Sequence, residues 1–154
     1  MVAETDSPAG CAEEVMDTVP LVMRFMRAEV RRHEKTASSV TQIRVLAFLK
    51  RNPGASLSGV ADHLCVTRAT ASATIERMVR RGLVDRSDNP NERRCIVLTA
   101  TAAGEEHYRR ARRVAQAAVA GKLASLPAVK LRQIVEGLAT LREAFDESDS
   151  SNKK

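Results

Sequence analysis

The sequence predicts a mainly α-helical fold carrying one small β-hairpin, and three observations predict it. Aromatic residues supply only 3% of a chain that is 44% hydrophobic, so the core must be aliphatic, which suits helix packing better than stacked sheets. Between polar ends, most apolar residues recur at spacings of three and four, the helical period. Only the stretch around residues 83–99 reads as two brief extended runs flanking a tight turn. A chain of 154 residues suffices for one domain with a real core.

Taken in order, residues 1–10 and 148–154 are small, polar or charged and are expected to be flexible tails. Val15, Val19, Val22, Met26 and Val30 mark one face of a long helix ending near His33, which Pro20 should start or kink. Ser39 can cap a second helix with Ile43, Leu46, Ala47 and Leu49 on one side, stopped by Asn52-Pro53-Gly54. Ser56 or Ser58 opens a short helix bearing Val60, Ala61 and Leu64, and Cys65-Val66-Thr67 breaks it. A further helix is expected from about Arg68 to Arg81, ended by Gly82. Leu83–Arg86 and Arg94–Thr99 read as strands joined by a turn at residues 88–91, with Ile96 and Leu98 facing inward. Thr101 caps a long helix with a small-residue seam through Ala111, Val114, Ala115, Ala118, Val119 and Leu123. Pro127 precedes a last helix in which Leu131, Ile134, Leu138, Leu141 and Phe145 keep a three-four rhythm, the pattern of helix-on-helix packing.

Composition narrows the partners. A formal charge of +6 and a pI near 9.7 favour polyanions, meaning nucleic acid or an acidic membrane surface. The acidic, polar start carries no secretory signal, and no apolar run approaches the ~20 residues of a membrane span. Three widely spaced cysteines, Cys11, Cys65 and Cys95, form no CxxC pair, and a reducing cytoplasm fits best. His33, His63 and His107 are too scattered for a metal pair, so no metal or other cofactor is expected. No Ser-His-Asp order, glycine-rich phosphate loop or paired carboxylate suggests an enzyme, and no catalytic residue is assigned.

The segment from Ser58 to Arg86 carries the functional reading. A short helix, a tight turn, a second helix and a hairpin form a winged helix-turn-helix, a device for presenting one helix to the DNA major groove. On a helical wheel, Ala71, Ile75, Met78 and Val79 point inward, while Thr70, Ala73, Thr74, Arg77 and Arg81 point outward, with Glu76 and Arg80 at the edge. Small residues permit close approach to base edges, Thr and Ala methyls suit thymine, and arginine bonds guanine bidentately. Thr67 and Arg68 at the helix start are placed for phosphates, beside free backbone N–H groups. A solvated polar face is the alternative for this helix alone. Beside the hairpin turn, Asn91, Arg93 and Arg94 are candidates for the wing tip, where an arginine can enter a narrow minor groove.

Residues 57–70 (Leu-Ser-Gly-Val-Ala-Asp-His-Leu-Cys-Val-Thr-Arg-Ala-Thr), 77–86 (Arg-Met-Val-Arg-Arg-Gly-Leu-Val-Asp-Arg), 89–94 and Thr-Ala-Ala-Gly at 101–104 together resemble the MarR family of winged-helix regulators. Three positions depart from the family pattern: Cys65 stands where Gly is usual, Glu92 where Asp is usual, and Ala100 where Leu is usual. The resemblance implies a homodimer on a pseudo-palindromic operator, and the long apolar stripes of the terminal helices independently call for a partner. Residues 12–38 and 101–147 are then expected to be dimerisation helices, and 39–100 the DNA-binding domain. It also implies a repressor responding to a small aromatic or anionic effector, for which Met23, Arg27 and Arg44 are candidate wall residues.

Other readings stay open on sequence alone. Such a domain can bind protein instead, or act as a sequence-independent architectural DNA binder. The first lacks exposed Leu, Phe or Trp anchors on the outward face. The second lacks a uniformly basic surface, since Glu76, Asp85, Asp88 and Glu92 interrupt it. The Arg109, Arg110, Arg112, Arg113 cluster can add to a DNA field, form inter-helix ion pairs, or simply be solvated. Cys11 is a candidate oxidant sensor, whereas Cys65 and Cys95 read as small buried residues.

Overall fold

A computed structural model describes residues 7–33, 40–89 and 92–151. Its elements run α1 (Pro8–His33), α2 (Val40–Arg51), β1 (Ala55–Ser56), α3 (Leu57–Leu64), α4 (Arg68–Arg80), β2 (Val84–Asn89), β3 (Glu92–Ala100), α5 (Ala102–Leu123) and α6 (Ala128–Ser151). Two compact units are distinguished, Met1–Ala117 and Ala118–Lys154.

Helix α1 begins earlier than the apolar stripe suggests. Ser7 Oγ accepts the Gly10 N–H at 3.0 Å and Pro8 takes the first helical position, so the chain is helical from residue 8 and Pro20 lies inside the helix. Pro8–Gly10, expected in the tail, are therefore helical. At the other end α6 continues through residues 148–151, also expected to be tail. The predicted cap Ser39 lies outside the described residues.

The core of the first unit joins α2, α3, α4 and the sheet. Val45, Leu46 and Leu49 meet Val60, Ala61 and Leu64, then Ala71, Ile75 and Met78, closed by Leu83, Val84 and Leu98. Each large member contributes about 1.5–3 kcal/mol by leaving water. The core is aliphatic, as the composition requires.

The sheet has three strands rather than two, in the order β1-β3-β2, all antiparallel. The added strand is two residues long, too short for periodicity to reveal. Leu98 pairs with Ala55 on one side and Arg86 on the other, and Val84 pairs with Ala100. Leu98 is buried and Ile96 packs against the core, the inward face expected of them.

Two left-handed residues end the helices around α4. Gly82 has φ +69°, with its N–H donating to Val79 O and that of Leu83 to Met78 O, a Schellman closure. Cys65 makes the same closure after α3 at φ +56°, with Cys65 N–H to Asp62 O and Val66 N–H to Ala61 O. A cysteine thus stands where glycine costs least.

In the second unit, α6 buries none of its described side chains fully, and Ile134, Val135, Leu138 and Phe145 are exposed. Among the described residues no helix is long and apolar enough to cross a membrane.

Candidate nucleic-acid interface

Helix α4 starts in a form suited to meet an anion. Thr67 is its N-cap, and its Oγ1 accepts the Thr70 N–H at 3.2 Å and lies 2.9 Å from Thr70 Oγ1. No acidic residue occupies the first turn, and Arg68 is exposed, so the positive end of the helix dipole is uncompensated.

Beyond the cap, Ala69, Thr70, Ala73, Glu76, Arg77 and Arg80 are exposed. At 100° per residue they fall within about 120° of arc, one continuous stripe. Two alanines and a threonine keep its first half low, and Arg77 rises from it. The stripe differs from the predicted face at four points. Thr74 is buried at 3% exposure, because its Oγ1 donates to Thr70 O at 3.1 Å and so needs no water. It still bears on the stripe by accepting Arg77 Nη2 at 3.3 Å, which helps orient that arginine. Val79, expected inward, is 37% exposed. Arg81 is committed elsewhere, donating to Oε1 of the buried Gln42 at 2.6 Å. Arg80 lies inside the stripe rather than at its edge, whereas Glu76 marks one edge as expected.

On the wing, the backbone places Arg93 and Arg94 at the second and third positions of β3. Asn91 lies outside the described residues, as do the side chains of both arginines.

The wing is fastened to α5 by the Thr-Ala-Ala-Gly segment. Thr101 Oγ1 donates to Gly82 O at 2.6 Å and accepts the Gly104 N–H at 3.0 Å, while Thr101 N–H donates to Leu83 O at 3.1 Å. A β-carbon on Gly104 would collide with the Leu83 carbonyl, so glycine is required for this approach.

Behind the helix-turn-helix, a cavity of about 220 Å³ opens between α1, α2 and α5. Its lining is almost wholly apolar and brings together the three predicted wall residues Met23, Arg27 and Arg44 with Met26, Ile43 and Tyr108. Arg44 also reaches α3, donating from Nη2 to His63 O at 3.1 Å. The His63 ring stacks on Phe48 with centroids 4.6 Å apart. Burial of this ring and the nearby Arg44 and Arg51 guanidinium groups hold its pKa below the usual histidine value.

Arg109, Arg112 and Arg113 of α5 make contacts within their own helix. Glu106 takes Arg113 at 2.9 Å and Arg109 at 3.3 Å, and the hydrogen bond from Arg113 leads the causes that hold its carboxyl below the usual range. Arg112 donates to the Tyr108 hydroxyl at 3.3 Å. Cys11 and Cys65 are both exposed thiols, so the expectation that Cys65 is buried is overturned by its place on the outside of the turn. Among the described residues no cluster of His, Cys, Asp and Glu could hold a metal ion.

A MarR family model matches residues 39–96, the span from α2 through the wing. The chain is also 29% identical over 112 residues to the homoprotocatechuate degradative operon repressor of Escherichia coli, covering 73% of this chain and 74% of that relative. The family match thus falls on the winged-helix span. Two solved structures share the fold: RV1404 from Mycobacterium tuberculosis at TM-score 0.78 and 18% identity, covering 92% of this chain and 95% of that one, and Streptococcus pneumoniae FabT at TM-score 0.66 and 18% identity, covering 88% and 98%. The FabT structure is described as a complex with DNA. The MarR match and the repressor relative support a DNA-binding transcription regulator rather than an enzyme.

Proposed function

We propose that this chain is a MarR-family regulator, a dimeric, ligand-responsive repressor that reads a pseudo-palindromic operator, with α4 in the major groove and a wing arginine in the minor groove. The observation that carries the reading is the exposed stripe of α4. Its alanines admit close approach, Thr70 and Arg77 supply base-edge groups, and the Thr67-capped start with Arg68 faces phosphate. Thr74 acts through Arg77 rather than by touching a base. Asn91, Arg93 and Arg94 at the wing complete the set. The E. coli relative's description as a repressor and the FabT–DNA complex support the same reading.

Dimerisation through residues 12–38 and 101–147 is supported by apolar side chains left uncovered in the single chain. Met16 and Leu21 on α1 are 73% and 55% exposed, and Phe145 on α6 is 67% exposed. Such surface calls for a partner, and a second copy supplies the two-fold symmetry of a palindromic site.

The cavity suits a one-ring effector with an anionic group, because apolar walls lie beside the arginine side chains of Arg27 and Arg44. Arg44 offers a route to the DNA-binding helices. An anion that draws its guanidinium away from His63 O frees the end of α3, while the same helix α2 holds Arg81, the C-cap of α4, through Gln42. A ligand acts this way only by binding one arrangement better than the other.

Titration of wild type and Arg77→Ala on a preferred duplex and on random duplex tests the base-reading step. The variant should lose about 1–3 kcal/mol on the preferred site and little on the random one. Equal losses on both would show that α4 does not read bases.

A further inference from the structure

We infer that Arg80 and Arg86 form a seat for one phosphodiester of the DNA backbone, on the strand that passes between α4 and the wing. The inference rests on the proposed docking of α4 and wing and adds a site to it. An open depression of about 260 Å³ lies here, lined by Glu76, Val79, Arg80 and Arg86.

The sheet register explains how Arg86 reaches it. Side chains alternate along a strand, so Arg86 shares a face with Val84, two residues before it, and with its partner Leu98, both buried. An apolar residue is the expectation at that position. The arginine instead emerges beside α4, with which β2 is in contact. The exposed Val79 offers an apolar floor for the two long stems, leaving the guanidinium groups at the rim.

Both groups are also uncommitted. The Arg80 and Arg86 side chains make no ion pair or hydrogen bond with another described residue, in contrast to Arg81 on Gln42 and Arg109 and Arg113 on Glu106. The Glu76 carboxylate in the depression takes the Ser72 hydroxyl at 3.3 Å, and its charge limits the seat to a single diester. A helix in the major groove and a hairpin in the neighbouring minor groove straddle one sugar-phosphate strand. The α4–β2 boundary faces that strand.

The test uses full-length protein on a duplex selected from random sequence and on random duplex, each titrated from 50 to 200 mM salt, conditions over which phosphate contacts are read. Arg80→Ala/Arg86→Ala should bind both duplexes about tenfold more weakly, with the salt slope reduced by about one, the signature of one lost phosphate contact. Arg80→Lys/Arg86→Lys should restore the slope, and a neutral methylphosphonate at one backbone position should erase the difference between wild type and the alanine variant. An unchanged slope, or a loss confined to the selected duplex, would overturn the seat. Absence of salt-dependent duplex binding by wild type would overturn the docking beneath it as well.

Discussion

At Cys65 a β-carbon sits in the left-handed region, where it costs roughly 1–2 kcal/mol that glycine avoids. Cys65→Gly is therefore expected to raise the unfolding free energy by about 1 kcal/mol, after allowing for the extra freedom glycine brings to the unfolded chain. Chemical denaturation reads this directly, and a destabilised variant would mean the thiol makes contacts that outweigh the strain. Gly104 is the opposite case. Gly104→Ala drives a methyl into the Leu83 carbonyl and should cost about 2–3 kcal/mol, again by denaturation. Sequence alone gave the positions of both turns but not the conformation at Cys65. The helical wheel also set Thr74 outward, whereas a hydroxyl bonded to the carbonyl four residues back can be buried. Val79 failed conversely: its place on the wheel lies beside the depression in front of β2, a tertiary fact that helical spacing does not contain.

At the scale of elements, the helices were legible because their signals are local. Ser56 caps α3, Gly82 closes α4 and Thr101 opens α5, each through a short-range bond to a backbone group. Ser7-Pro8 was the same kind of signal and was missed, since the apolar stripe it precedes begins only at Val15. Strand β1 was illegible in principle: two residues have no period, and pairing with β3 alone defines them. Between α2 and α3, burial of the His63 ring beside Arg44 and Arg51 gives a pH dependence. The folded state holds His63 below its ordinary pKa of 6.5, so the neutral ring is favoured and its contribution is fully present above 6.5. That contribution is lost as pH falls from 6.5 through the lowered folded value. Unfolding midpoints at pH 7.5 and 5.5 should therefore diverge more in wild type than in His63→Gln; equal divergence would place the acid sensitivity elsewhere.

For the molecule as a whole, charge and exposed apolar surface support two different proposed partners. The stripe on α4 and the arginines beside it are polar and close to backbone height, which suits a duplex. The uncovered residues on α1 and α6 are aliphatic and aromatic, which suits a second copy. The exposed candidate face was legible in sequence where one helix presents it, at Thr67, Arg68, Thr70, Ala73 and Arg77. It was not legible where strand and helix meet, because Arg80 and Arg86 come together only through the sheet register.

Selection of binding sites from random duplex DNA probes both partners at once. A symmetric pair of recognition helices should enrich a pseudo-palindrome whose half-sites lie about one duplex turn, ~34 Å, apart. Wild type should prefer it strongly over random sequence, and Arg77→Ala should relax the preference within each half-site. Enrichment of a single unrepeated half-site would contradict the dimer, and no enrichment above salt-dependent background would contradict sequence-specific repression by this chain.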